Sequence, residues 1–167
     1  MQNINRSRYG ITDLLRGHWA LFHRLWKALT PLAKAVHAAG GLVAIEWPLR
    51  CTYWHDAKVQ HTMREVGLLH KATIAACMYG LRPQRKDAAP DEFIGKQWRL
   101  QSTSSGFAAA LTRRCDGAHR HVVTVGGETA ASAYYPRQMA QAVHVALRDW
   151  SSCGRGSRAS GLRATVH

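Results

Sequence analysis

The sequence predicts one α/β domain with a mostly parallel sheet over residues 1–150, followed by a flexible basic tail over residues 151–167. Three observations predict it. Stretches of helical periodicity alternate with short apolar runs, the pattern of a sheet covered by helices on its faces. A length of 167 residues with 46% hydrophobic content suffices for one buried core. From Ser151 onward Gly, Ser and Arg dominate, acids are absent, and Arg155, Arg158 and Arg163 add charge.

From about Thr12 to Ala38, the residues Leu15, Trp19, Phe22, Trp26, Leu29, Ala33 and Val36 recur at steps of four and three, so they line one side of a helix. Arg16, Arg24, Lys27 and Lys34 decorate the rest. Thr12 and Asp13 suit its N-terminus, Pro31 predicts a kink, and Gly40-Gly41 predict its end. Leu42 to Glu46 reads as a buried strand of a parallel sheet, stopped by Trp47-Pro48. A second helix over about 55–66 carries Val59, Met63 and Val66 inward and stops at Gly67, and a strand over 71–76 follows. Residues 82–95, with Pro83, Pro90 and Gly95 among charged side chains, read as an exposed contact loop. A strand over 97–103, a short helix over 107–113, a strand over 119–125 and an amphipathic helix over 135–150 complete the domain. Met139, Val143, Ala146 and Leu147 form the apolar face of that last helix.

Charge points to a partner. The 23 Lys and Arg against 10 Asp and Glu give a formal +13, which favours a polyanion through counterion release, and nucleic acid is the expected one. Arg82, Arg85 and Lys86 of the 82–95 loop are the candidate contacts. Trp54 and Trp98 are candidate stacking platforms for bases, with core packing as the alternative. The longest hydrophobic stretch, 19–36, is broken by Arg24, Lys27 and Lys34, which excludes a membrane span. Met1-Gln2-Asn3-Ile4-Asn5 is polar and no apolar core follows, so no secretory signal is expected. Cys51, Cys77, Cys115 and Cys153 are then expected as reduced thiols in an intracellular compartment, the nucleus included. The basic first forty residues, with Asp13 as their one acid, also fit a transit peptide or surface-binding helix. Their direct run through Gly40-Gly41 into the next strand favours a helix of the fold.

Cys115-Asp116-Gly117-Ala118-His119-Arg120-His121 is the candidate metal segment. His119 and His121 are two apart, so on a strand both imidazoles share a face, and Cys115 on the preceding turn can fold back beside them. Zinc needs a fourth ligand. Cys77, at the end of a neighbouring predicted strand, is the first choice and Cys51 the second; a buried free cysteine beside two surface histidines is the alternative. Glu46, at the carboxyl end of a predicted parallel strand, would point into the crevice where open α/β sheets bind ligands, or else pair locally with Arg50.

The segment Gly40-Gly41-Leu42-Val43-Ala44-Ile45-Glu46-Trp47-Pro48, followed by Cys77-Met78-Tyr79-Gly80-Leu81-Arg82-Pro83-Gln84-Arg85, resembles the second half of a cytosine-C5 DNA methyltransferase domain. With Asn3-Ile4-Asn5-Arg6, Trp54, Lys96-Gln97-Trp98, Cys115, His119 and His121, the order of short motifs over residues 1–148 is similar to the variant found in retroelement-type polyproteins of single-celled eukaryotes. The resemblance implies an incomplete Rossmann-like domain. It places Glu46 where the family's carboxylate contacts the flipped base while a cysteine adds to C6, and Arg82 or Arg85 near the substrate. It also implies a Gly-rich S-adenosylmethionine loop and a Pro-Cys nucleophile ahead of Glu46, but this sequence has no Pro-Cys. Glu46 is then vestigial, S-adenosylmethionine is not expected to bind, and Met1 is expected to be an internal methionine. Three readings follow: a non-catalytic, mobile-element-derived module that contacts nucleic acid and holds zinc, half of a methyltransferase that needs an upstream segment, or a small zinc-stabilised interaction domain.

Overall fold

A computed structural model describes residues 11–123 and 132–159. Expectations for residues 1–10, for the end of the 119–125 strand and for residues 160–167 lie outside the described residues. The elements are α1 (Ile11–Ala38), β1 (Ala44–Pro48), α2 (Ala57–Val66), β2 (His70–Ala75), β3 (Glu92–Ile94), β4 (Gln97–Ser102), α3 (Ser105–Leu111), β5 (Arg120–Val122) and α4 (Arg137–Ala159). Single 3-10 turns span Thr52–His55 and Ala76–Tyr79.

The chain is α/β, but its sheet is not mostly parallel. β4 lies in the middle of a three-stranded sheet and runs antiparallel to β1 on one side and β2 on the other. Parallel pairing among the described residues is confined to the short β3–β5 pair and one isolated bridge between Ile74 and Arg113, so they form no Rossmann-like parallel sheet. The reason is an insertion. β1, α2 and β2 form a strand–helix–strand unit whose two strands point the same way, as the alternation of patterns predicts. Instead of pairing with each other they each pair with β4, which makes the unit a split βαβ. Periodicity reports strands and helices; it does not report which strand fills a gap. β1 is therefore an edge strand, half-buried rather than buried, and this lets Pro48 close it without costing a ladder hydrogen bond.

Local signals set most boundaries. α1 continues through Pro31 and ends where Gly40, at φ 74°, donates to the His37 carbonyl and Gly41 to that of Val36. A Cβ on Gly41 would stand 2.7 Å from the Val36 side chain, so this turn needs glycine. Asp56 caps α2 by accepting from the Lys58 and Val59 amides at 2.9 and 3.1 Å. Ser104 caps α3 through the Phe107 amide. α4 runs to Ala159, beyond Trp150, where the sequence predicts the helix to end and the tail to begin at Ser151.

Two cores flank the sheet. On one side Trp26 and Ala33 of α1 and Val59, Met63 and Val66 of α2 bury Trp54, with Val43, Ile45 and Trp47 packed against them. On the other, Ala72, Ile74, Trp98 and Leu100 of β2 and β4 meet Phe107 and Leu111 of α3 and Met139 and Ala146 of α4. Strand alternation divides the residues: Arg99 lies over the Trp54 ring at 5.1 Å and Gln101 reaches the Leu68 carbonyl at 3.1 Å, while Trp98 and Leu100 face α3 and α4. α1 also carries Leu14, Leu21, Leu25 and Leu32 exposed on its outer side. Among the described residues, no helix is long and apolar enough to cross a membrane.

Candidate metal centre

Cys77, Cys115, His119 and His121 come together, with one ligand atom of each within 4.8 Å of the others. This is the predicted set, with Cys77 as the fourth member. Cys51 instead packs against the α1–α2 core. The four side chains could hold a metal ion.

The backbone explains the meeting. Beyond the end of α3, Arg113 forms a parallel bridge with Ile74 of β2: the Ala75 amide donates to the Arg113 carbonyl at 2.8 Å and the Arg113 amide to that of Thr73 at 3.1 Å. Each chain then runs on two residues past this pairing, one from Ala75 to Cys77 and the other from Arg113 to Cys115. The Arg113 guanidinium donates to the Met78 carbonyl at 3.3 Å and lies 4.5 Å from the Tyr79 ring centre, and the Tyr79 hydroxyl donates to the Leu111 carbonyl at 3.1 Å. Each cysteine is followed within three residues by a glycine in the left-handed region, Gly80 at φ 81° and Gly117 at φ 75°. The Gly117 amide donates to the Cys115 sulfur at 3.3 Å.

The histidines come from β5 and the turn that leads into it. The parallel register of β5 with β3 sets His121 against Phe93, and the Phe93 ring lies 4.5 Å from that of His119. The Cys115 sulfur is 3.6 Å from Nε2 of both His119 and His121, and those two nitrogens are 3.0 Å apart. The Asp116 carboxylate stands 3.6 Å from His119 Nδ1, on the far side of the ring from the cluster. Cys77 is the buried member, and desolvation together with the adjacent Cys115 sulfur pushes its thiol up to about 11. A cation placed among these atoms would reverse that cost by stabilising the thiolate.

Glu92 is a site residue that no sequence motif singles out. Its carboxylate is 5% exposed and accepts from Arg85, from the Ala89 amide at 3.1 Å and from Arg120 at 2.5 Å. Arg120 lies between the two histidines and, by strand alternation, points to the opposite face. The His-Arg-His pattern is the one signal in the sequence for that buried acid. Arg85, a predicted nucleic-acid contact, is thus committed within the fold. Arg82 donates to the Pro90 carbonyl and lies 4.1 Å from the centre of the Phe93 ring, the ring that also meets His119. Lys86 is exposed. Trp54 and Trp98 are 1% and 3% exposed, and the Trp54 indole donates to the Pro48 carbonyl at 3.0 Å. Both are core residues, because their large apolar area is worth more buried than presented to a base.

Glu46 does not lie at the end of a parallel strand. It sits on edge strand β1, where one of its oxygens accepts from the Tyr135 hydroxyl just ahead of α4. Its other oxygen, Oε1, is buried without a hydrogen-bond partner among the described residues. Burial pushes its carboxyl above the ordinary range, against the opposing pull of the Tyr135 bond and the Lys96 ammonium. Comparisons with protein-family models, with curated proteins and with solved structures return no match, so the resemblance to cytosine-C5 methyltransferases rests on the sequence segments alone.

Proposed function

We propose that the chain is a non-catalytic, zinc-stabilised module that contacts nucleic acid, and that Cys77, Cys115, His119 and His121 are its zinc ligands. One observation carries the zinc assignment. Zinc binds sulfur at about 2.3 Å and imidazole nitrogen at about 2.0–2.1 Å in a tetrahedron, which makes the sulfur–nitrogen edges about 3.6 Å and the nitrogen–nitrogen edge about 3.3 Å. The corresponding separations here are 3.6, 3.6 and 3.0 Å. Four protein ligands fill the coordination sphere and leave no position for a reacting water, which makes the site structural. The formal charge of +13 supports the polyanion partner. Elemental analysis of protein purified without added metal should give one zinc per chain. Cys115→Ser with His121→Ala should abolish it and lower the melting temperature; metal-free protein whose melting is indifferent to both chelator and substitution would refute the assignment.

A second reading keeps the enzyme. The buried Oε1 of Glu46, without a hydrogen-bond partner among the described residues, favours it, since burial raises the carboxyl's pKa in the direction that suits proton sharing with a base nitrogen. In that reading the chain is half of a cytosine-C5 methyltransferase, and methyl transfer appears only when an upstream segment supplies the S-adenosylmethionine loop and the Pro-Cys.

A further inference from the structure

A groove of about 810 Å³ runs between α1 and α2, and none of the candidate metal ligands lines it. Its floor includes Trp26, Pro31 and Ala57, and its rim carries Arg24, Lys27, Lys34 and Lys58 against a single carboxylate, Glu65. Glu65 is already taken by Lys34 at 2.9 Å, with His61 at 3.5 Å. His23 is held by Asp56 at 2.9 Å, and the Thr30 and Thr62 hydroxyls, 3.3 Å apart, satisfy each other. Arg24, Lys27 and Lys58 have no acidic partner among the described residues, and all three are exposed.

We infer that this groove is the contact site for single-stranded nucleic acid, with unstacked bases against the apolar floor and phosphates on the basic rim. The inference rests on the nucleic-acid function proposed for the chain and replaces the 82–95 loop as the principal contact. The chemistry selects a single strand. A duplex offers phosphates but keeps its bases stacked inside, so it would leave the floor unfilled; a single strand presents both a charged backbone and free base faces.

The test uses the full chain and fluorescein-labelled oligothymidylate, with anisotropy followed over a range of potassium chloride concentrations and an unlabelled duplex as competitor. The wild-type protein should prefer the single strand by 10-fold or more. The triple variant Arg24→Ala/Lys27→Ala/Lys58→Ala should weaken binding at least 10-fold and reduce the salt slope by about 2, at about 0.7 for each phosphate left without its cation. The melting temperature of the triple variant is the control for folding. Absence of any binding by the wild-type chain would overturn the nucleic-acid function itself. Wild-type binding that the triple variant matches, in affinity and slope, would leave that function standing and overturn the groove. Equal affinity for duplex and single strand would overturn the placement of bases on its floor.

Discussion

Replacing Glu92 by alanine gives the sharpest test of how the metal segment is held. The carboxylate joins three chain segments: the 82–95 loop through Arg85 and the Ala89 amide, β3 through its own backbone, and β5 through Arg120. The two arginine side chains are 36% and 59% exposed, so each ion pair is screened and contributes about 0.5–1 kcal/mol. The bond from the Ala89 amide to a buried carboxylate is charge-assisted and contributes about 1.5–3 kcal/mol. Removing the acid also removes the cost of burying it, which brings the expected net loss for Glu92→Ala to about 2 kcal/mol. Urea denaturation reads this directly, and for a domain of this size it corresponds to a fall of about 4–8 °C in melting temperature. Glu92→Gln keeps the shape and the amide bond and should lose about half as much, whereas Arg120→Ala should lose less than about 1 kcal/mol. Because Arg120 separates the two histidine ligands, loosening it should also lower zinc affinity about 10-fold, measured by competition with a chromophoric chelator. A change in stability below about 0.5 kcal/mol for Glu92→Ala, the level of an ordinary surface substitution, would overturn this account of the carboxylate.

Three further outcomes are expected. For Asp56, burial raises the carboxyl, but the bonds from His23 and the Val59 and Lys58 amides outweigh it and hold the pKa below its ordinary 3.8. Its stabilisation is therefore present above that value and fades as pH falls through the folded pKa; Asp56→Ala should cost about 1 kcal/mol at pH 7 and much less near pH 2, by denaturation at both. Glu46 has the opposite sign: its raised pKa means that stability is lost as pH rises from its ordinary 4.5 through the folded value, so Glu46→Gln should gain on the wild type between pH 4 and pH 7, and a constant difference would count against burial as the cause. Gly80→Ala places a Cβ at φ 81° and 3.4 Å from the Gln138 amide, so it should destabilise by about 1–2 kcal/mol and loosen the Cys77 turn, measured by thermal melting with and without zinc.

The candidate metal ligands are legible in the sequence because their signal is local. His119 and His121 share a face at spacing two, Cys115 precedes them by one turn, and Cys77 follows a recognisable strand. α1, with its two-step stripe and closing glycines, and α2, with its Val59, Met63 and Val66 face and Gly67 after, are legible for the same reason, although the Asp56 cap that starts α2 is not. The position of β4 is not. A strand in the middle of a sheet and one at its edge can share the same alternation, and nothing in Gln97-Trp98-Arg99-Leu100 says that it separates β1 from β2. The roles of the basic side chains are hidden likewise, since Arg85 and Lys86 read alike until Glu92 is found beside one of them. Trp54 and Trp98 suggest base stacking because they lie near the expected ligand crevice in sequence, although large apolar area usually decides where a tryptophan goes.

The central place of β4 has a consequence for how the chain is made. β1 and β2 are complete by Ala75, but the strand that joins them begins only at Gln97. A nascent or truncated chain that stops short of it holds two strands on either side of an empty lane, with their inward amides and carbonyls unpaired. α1 and α2 can pack and bury Val59 and Val66 before then, but the sheet must wait for the later part of the domain. Any deletion series will therefore show its break in cooperativity at β4, well after the first helices are finished, and fragments ending between residues 76 and 96 will expose the strand edges that invite pairing with other chains.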